Sequence, residues 1–61
     1  MAAKFEIFKD KSGEFRWRLI HTNGQVIANS GEGYKAKASV MGGINSVKDN
    51  ASNATVEDTT A

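Results

Sequence analysis

EFRWRLIHTNGQVIANS, residues 14–30, is the stretch on which the fold turns. From Glu14 to His21 the side chains alternate. Phe15, Trp17, Leu19 and His21 fall on one face, and Glu14, Arg16, Arg18 and Ile20 on the other, as in a strand that buries one side. Asn23-Gly24 follows, the strongest short-range hairpin signal a sequence offers, and Gln25 to Ser30 reads as the returning strand. Upstream, Lys4 to Asp10 sets Phe5 and Ile7 against Lys4 and Glu6, although Phe8 breaks the alternation. Asp10-Lys11-Ser12-Gly13 joins it to the second strand as a turn in which Gly13 supplies the positive φ of a G1 bulge.

Turn type dictates register, and register can be tested on side chains. A bulged turn at Gly13 pairs Lys9 with Phe15, Ile7 with Trp17, Glu6 with Arg18 and Phe5 with Leu19. A two-residue turn at Ser12-Gly13 would instead set Glu6 against Leu19 and Asp10 against Phe15, mixing charge into the apolar face. A two-residue loop at Asn23-Gly24 pairs Thr22 with Gln25, His21 with Val26, Ile20 with Ile27 and Leu19 with Ala28. One face of the meander then collects Phe5, Ile7, Phe15, Trp17, Leu19, Val26 and Ala28. Glu6, Phe8, Arg16, Arg18, Ile20 and Ile27 occupy the other.

Gly31-Glu32-Gly33 interrupts the pattern. Val40, Met41, Ile44 and Val47 then recur at helical spacing, predicting a helix from Lys35 or Ala36 to Asp49 whose apolar stripe covers the sheet. Gly42-Gly43 in its middle costs about 1 kcal/mol per glycine relative to alanine. The pair is tolerable where the helix backbone lies close enough to the sheet for a Cβ to collide. Thr55-Val56-Glu57 reads as a short last strand. The expected organisation is one domain at 4–58 with tails at 1–3 and 59–61, in the order β-β-β-α-β. That order makes a two-layer α+β unit of an antiparallel meander and one helix.

The chain has 61 residues, with eight Lys+Arg against seven Asp+Glu and a formal charge of +1. So even a balance does not suit a domain whose main work is neutralising phosphates. Eight of its hydrophobic residues are alanine, leaving few large side chains for a core. A domain of this size buries only about 60% of its unfolded surface, and below roughly 70–80 residues a core usually needs a disulfide, a metal or a partner chain. There is no cysteine and one histidine, so disulfides, thiolate sites and a zinc cluster are excluded, and no cofactor is expected. Oligomerisation is the remaining route. No apolar run approaches the roughly 18 residues of a membrane span, and Met1-Ala2-Ala3-Lys4 runs directly into a strand pattern rather than a signal peptide. The expected location is the cytoplasm, without membrane attachment.

The runs Phe5-Glu6-Ile7-Phe8-Lys9-Asp10-Lys11-Ser12-Gly13-Glu14-Phe15-Arg16-Trp17-Arg18-Leu19 and Asn23-Gly24-Gln25-Val26-Ile27-Ala28-Asn29-Ser30-Gly31-Glu32-Gly33-Tyr34 resemble the YegP-like family of small bacterial proteins. Gly43-Ile44-Asn45-Ser46-Val47-Lys48 and Asn50-Ala51 extend the likeness, which spans Lys4 to Asp58. The family's usual serine after the tyrosine is absent. Lys35 and Ala36 stand there, and neither can accept the hydrogen bond of an N-cap. The resemblance implies a β3-α-β unit found either in tandem or as two copies of one chain, the single-copy members being homodimers whose C-terminal strands exchange. Thr55, Val56 and Glu57 are then the candidate dimer contacts. The family carries no established activity, so the resemblance speaks to fold and leaves function open.

Each chemically suggestive residue has a plainer reading beside it. Arg16 and Arg18 with Phe8 could hold phosphates and stack a base. They could equally form ordinary cross-strand pairs, Arg18 with Glu6 and Arg16 over Phe8. Gly31-Glu32-Gly33-Tyr34 before a helix hints at an anion cradle, yet Glu32 sits in its centre and a tight turn explains the glycines. His21 has no carboxylate or nucleophile placed beside it and reads as an edge-of-core residue. Trp17 reads as the central core anchor and Tyr34 as packing at the helix start. Phe8, Ile20 and Ile27 leave an apolar patch on the face away from the helix, of the kind that marks a partner surface. Phe8, Arg16, Arg18, Ile20 and Ile27 are therefore the candidate binding surface. The expected function is a non-enzymatic, homodimeric structural or interaction module. A weak nucleic-acid binder using the basic outer face is the alternative, and an enzyme with a site assembled only at a dimer interface is the third.

Overall fold

The computed structural model describes residues 3–60, so Met1, Ala2 and Ala61, which belong to the expected tails, lie outside the described residues. Three strands form an antiparallel sheet in the order β1-β2-β3: β1 (Lys4–Lys9), β2 (Phe15–Ile20) and β3 (Val26–Asn29). One helix, α1 (Lys37–Asn50), follows, with a single 3₁₀ turn at Ala51–Asn53. The α+β class is as expected.

The first hairpin has the register derived from the bulged turn: Lys9 opposes Phe15, Ile7 opposes Trp17, Glu6 opposes Arg18 and Phe5 opposes Leu19. Gly13 has φ 81° and its N–H donates to the Asp10 carbonyl at 3.0 Å. Asp10 ties the turn down further, its Oδ1 accepting the N–H groups of Ser12 and Glu14 at 2.9 and 3.0 Å.

The second hairpin departs from expectation. A two-residue loop needs positive φ at its first central residue, and in type I′ at both, but Asn23 lacks it and Gly24, the second, has it at 92°. The loop is instead Thr22-Asn23-Gly24, closed by His21 N–H on the Gln25 carbonyl at 2.8 Å and Gly24 N–H on the His21 carbonyl at 2.9 Å. It thereby repeats the construction of the first turn. Ile20 consequently opposes Val26, while Leu19 still opposes Ala28, so the register shifts between them and Ile27 has no partner of its own. This is a β-bulge, two residues facing one. The expected pairs His21–Val26 and Ile20–Ile27 do not form, and Val26 joins Ile20 on the outer face, 51% exposed, instead of the core.

Trp17, Val40 and Ile44 are the buried hydrophobic residues, with Phe5, Ile7, Phe15, Leu19, Tyr34 and Val47 packed around them. Phe5 meets Trp17 edge-on, ring centroids 5.5 Å apart at 72°, the arrangement favoured by aromatic quadrupoles. Met41, expected on the apolar stripe, is 43% exposed. Centring the helix on Val40 and Ile44 rotates the adjacent position outward. Gly42 and Gly43 divide as the close-approach argument requires. A Cβ on Gly42 would meet nothing within 4 Å, whereas one on Gly43 would lie 2.8 Å from the Tyr34 hydroxyl oxygen and 3.6 Å from Trp17 Nε1.

Between β3 and α1 the chain does more than turn. Ser30 N–H donates to the Trp17 carbonyl at 2.9 Å, and Tyr34 exchanges both backbone hydrogen bonds with Phe15, at 2.7 and 2.8 Å. Across this interruption of the ladder the Trp17 N–H donates to the buried Ser30 Oγ at 3.2 Å, so a hydroxyl stands in for the carbonyl a continuous strand would have supplied. Ala36 stands extended at the N-cap of α1 and gives it no side-chain cap, as expected from the missing serine. Among the described residues of the single chain no fourth strand forms. Residues 54–60 have no regular secondary structure and are exposed, so Thr55, Val56 and Glu57 form no strand with the described residues of their own chain. A strand needs a neighbour for its backbone groups, and among the described residues of its own chain this segment has none.

Candidate functional site

The outer sheet face is built by the even-numbered residues of β1 and β2, which alternation sends away from the helix. Glu6, Phe8, Arg16, Arg18 and Ile20 are all half-buried there, and exposed Val26 and Ile27 continue the surface along β3.

The two arginines are both engaged, Arg18 with Glu6 as expected and Arg16 elsewhere than expected. Arg18 Nε donates to Glu6 Oε1 at 2.6 Å, and the same guanidinium lies over the Phe8 ring, 4.1 Å from its centroid. One side chain thus makes both cross-strand contacts, because Phe8 and Glu6 are two apart on the same face of β1. Arg16, expected over Phe8, turns to the first hairpin, where its Nε donates to Asp10 Oδ2 at 2.6 Å. That bond, with the N–H groups of Glu14 and Ser12, holds the Asp10 carboxyl below its ordinary value of 3.8. Asp10 is therefore the residue that sequence reasoning left as a simple turn former. Its six-residue separation from Arg16 across a bulged hairpin was the available signal.

His21 is exposed rather than at the edge of the core. Its Nδ1 accepts the Asn23 N–H at 3.2 Å, capping the second turn. Nothing in this arrangement poises it as a base. Among the described residues no group of three or more His, Cys, Asp or Glu side chains converges as a metal site would require.

The structure brings Phe8, Arg16, Arg18 and Ile20 to one face, with Ile27 at its β3 margin. Thr55, Val56 and Glu57 lie apart from that face on the segment after the helix, with Val56 96% exposed. Asp58 is held below its ordinary value by the Thr60 hydroxyl and N–H. β1 and β3 bond to β2 alone, so each presents one open edge, the usual site for an added strand.

Comparison with known proteins agrees with this architecture. The family described as "Domain of unknown function (DUF1508)" matches residues 10–58. The UPF0339 protein Atu5359 of Agrobacterium fabrum is 58% identical over 59 residues, covering 95% of this chain and 94% of that protein. A UPF0339 protein of Stutzerimonas stutzeri is 55% identical over 51 residues, which are 84% of this chain but 45% of the longer relative. Among solved structures, the NMR solution structure of a protein from Haloferax volcanii matches with a TM-score of 0.88 and 49% identity, covering 93% of this chain and 95% of that one. The chain belongs to the DUF1508 family of UPF0339 proteins, the family its sequence resembles under the name YegP-like.

Proposed function

We propose that this chain acts as a non-enzymatic, homodimeric interaction module of the cytoplasm, in which residues 54–60 of each copy add as a strand to an open sheet edge of the other. Val56 carries the reading: a β-branched residue left 96% exposed on a segment without structure. Val and Thr favour a pleated, half-buried surface, and the open edges offer one. Among the described residues Trp17, Val40 and Ile44 are the buried hydrophobic side chains, with half-buried ones around them, and so small a core supports the same reading. The Stutzerimonas stutzeri relative, of which this chain spans 45%, has length for a second such unit in one polypeptide.

Sedimentation equilibrium on the full chain and on a chain ending at Ala54 tests the proposal. The full chain should sediment as a dimer and the shortened one as a monomer. A full-length monomer at high micromolar concentration, or a dimer that survives the truncation, refutes it. Nucleic-acid binding finds less support, since each arginine of the outer face already has a carboxylate at 2.6 Å.

A further inference from the structure

We infer that the pocket between the β1 edge and the start of α1 binds a small organic anion with a flat apolar body of one or two rings. The pocket has a volume of about 340 Å³ and is lined by Ile7, Phe8, Lys9, Phe15 and Lys37. That is the lower end of the range for small-molecule sites, which combine apolar walls with a few converging polar groups. Ile7 and Phe15 belong to the helix-facing side of the sheet and give the pocket its apolar wall, and Phe8 and Lys9 border it along the edge strand. Phe15 is its fixed wall, its backbone bonded to Tyr34 through both N–H and carbonyl.

The charge defines the ligand. The Lys9 and Lys37 ammoniums lie 5.2 and 5.9 Å from the centroid of the same Phe15 ring. Neither belongs to an ion pair among the described residues, whereas Arg16 and Arg18 each have a carboxylate partner. One ring quadrupole supplies only about 0.5–1 kcal/mol to an exposed cation, so both ammoniums stay free to attract an anionic group at the pocket, while an apolar ring of the same molecule lies on Ile7 and Phe15. The site lies within one copy and does not rest on the dimer proposed above.

The test is an NMR titration of the full-length protein with 2-naphthoate and, in parallel, with neutral 2-naphthamide of the same shape. Naphthoate should produce saturating amide shifts at Lys9, Phe15 and Lys37 at millimolar concentration, and naphthamide should bind more weakly by roughly five-fold or more. The double variant Lys9→Gln, Lys37→Gln removes both charges while keeping a polar side chain one atom shorter, and its amide spectrum reports whether it is folded. It should bring naphthoate down to the affinity of naphthamide. Equal binding of the two probes, unchanged naphthoate affinity in the double variant, shifts confined to the Arg16–Arg18 face, or no saturable shift would each overturn the assignment.

Discussion

Replacing Gly43 with alanine tests the helix-on-sheet contact more sharply than any core deletion. At Gly42 an added methyl meets nothing within 4 Å, so Gly42→Ala should realise the helix-propensity gain of about 1 kcal/mol. At Gly43 the same gain competes with a Cβ placed 2.8 Å from the Tyr34 hydroxyl oxygen and 3.3 Å from its Cζ. Carbon contacts are comfortable at about 3.5–4.0 Å, so Tyr34 must retreat, and its backbone is bonded to Phe15 on both sides. Overpacking of that kind costs about 1–3 kcal/mol, leaving Gly43→Ala between neutral and about 2 kcal/mol destabilised. Thermal melts followed by Trp17 fluorescence should separate the two variants by roughly 4–8 °C for each kcal/mol. Gly43→Val should fall below both. The melts must share one protein concentration, because the Tm of an associating protein depends on it. Tyr34→Phe removes the nearest obstructing atom, so it should recover part of the Gly43→Ala loss with a coupling of about 0.5–3 kcal/mol. If both glycine-to-alanine variants raise the Tm equally, or Tyr34→Phe leaves the Gly43→Ala cost unchanged, the helix face assigned to the sheet is wrong.

Three further outcomes follow from the same packing. Trp17→Ala should cost about 3–5 kcal/mol, comparable with the whole stability of about 3–9 kcal/mol expected for a chain of this length. Circular dichroism should then show no cooperative melt. Ser30→Ala strips the buried Trp17 N–H of its acceptor and should cost about 1–3 kcal/mol in urea denaturation; an unchanged midpoint would mean that the N–H finds another partner. Asp10→Asn should destabilise at neutral pH, because a carboxyl whose pKa is lowered on folding contributes stability above its unfolded value of 3.8. That contribution is lost as the pH falls through the folded value. The difference between wild type and variant should therefore shrink below 3.8, and a difference that grows with acid would reverse the assignment.

Much of the architecture is legible in residue order. The Asp10-Lys11-Ser12-Gly13 turn, the alternation around Trp17 and the i, i+4 spacing of Val40 and Ile44 are local patterns, and each leads to its observed element. Asn23-Gly24 misleads by one residue because turn and register answer to different forces. Locally, His21 Nδ1 accepts the Asn23 N–H and the Asn23 carboxamide accepts the Gln25 N–H at 2.9 Å, which favours the three-residue loop. Farther along, Leu19 stays opposite Ala28 and Arg18 opposite Asn29, as the expected register has them or extends it. The bulge at Ile27 absorbs the mismatch and moves Val26 to the outer face.

The outer surface is legible in its membership and not in its pairing. Alternation alone assigns Phe8, Arg16, Arg18 and Ile20 to one side, but long side chains choose among several partners within reach. Arg16 takes Asp10 only because the bulged turn carries that carboxylate back over β2. The Lys9–Phe15–Lys37 cluster lies further beyond sequence reading, since 28 positions separate its two lysines.

Strands, turns and helix thus follow from periodicities of two and 3.6, which short-range sterics and hydrogen bonding impose on neighbouring residues. The Gly43 contact and the pocket at the β1 edge arise only when α1 settles on β2. They depend on distances between distant segments, which packing of the whole chain determines and no local pattern encodes.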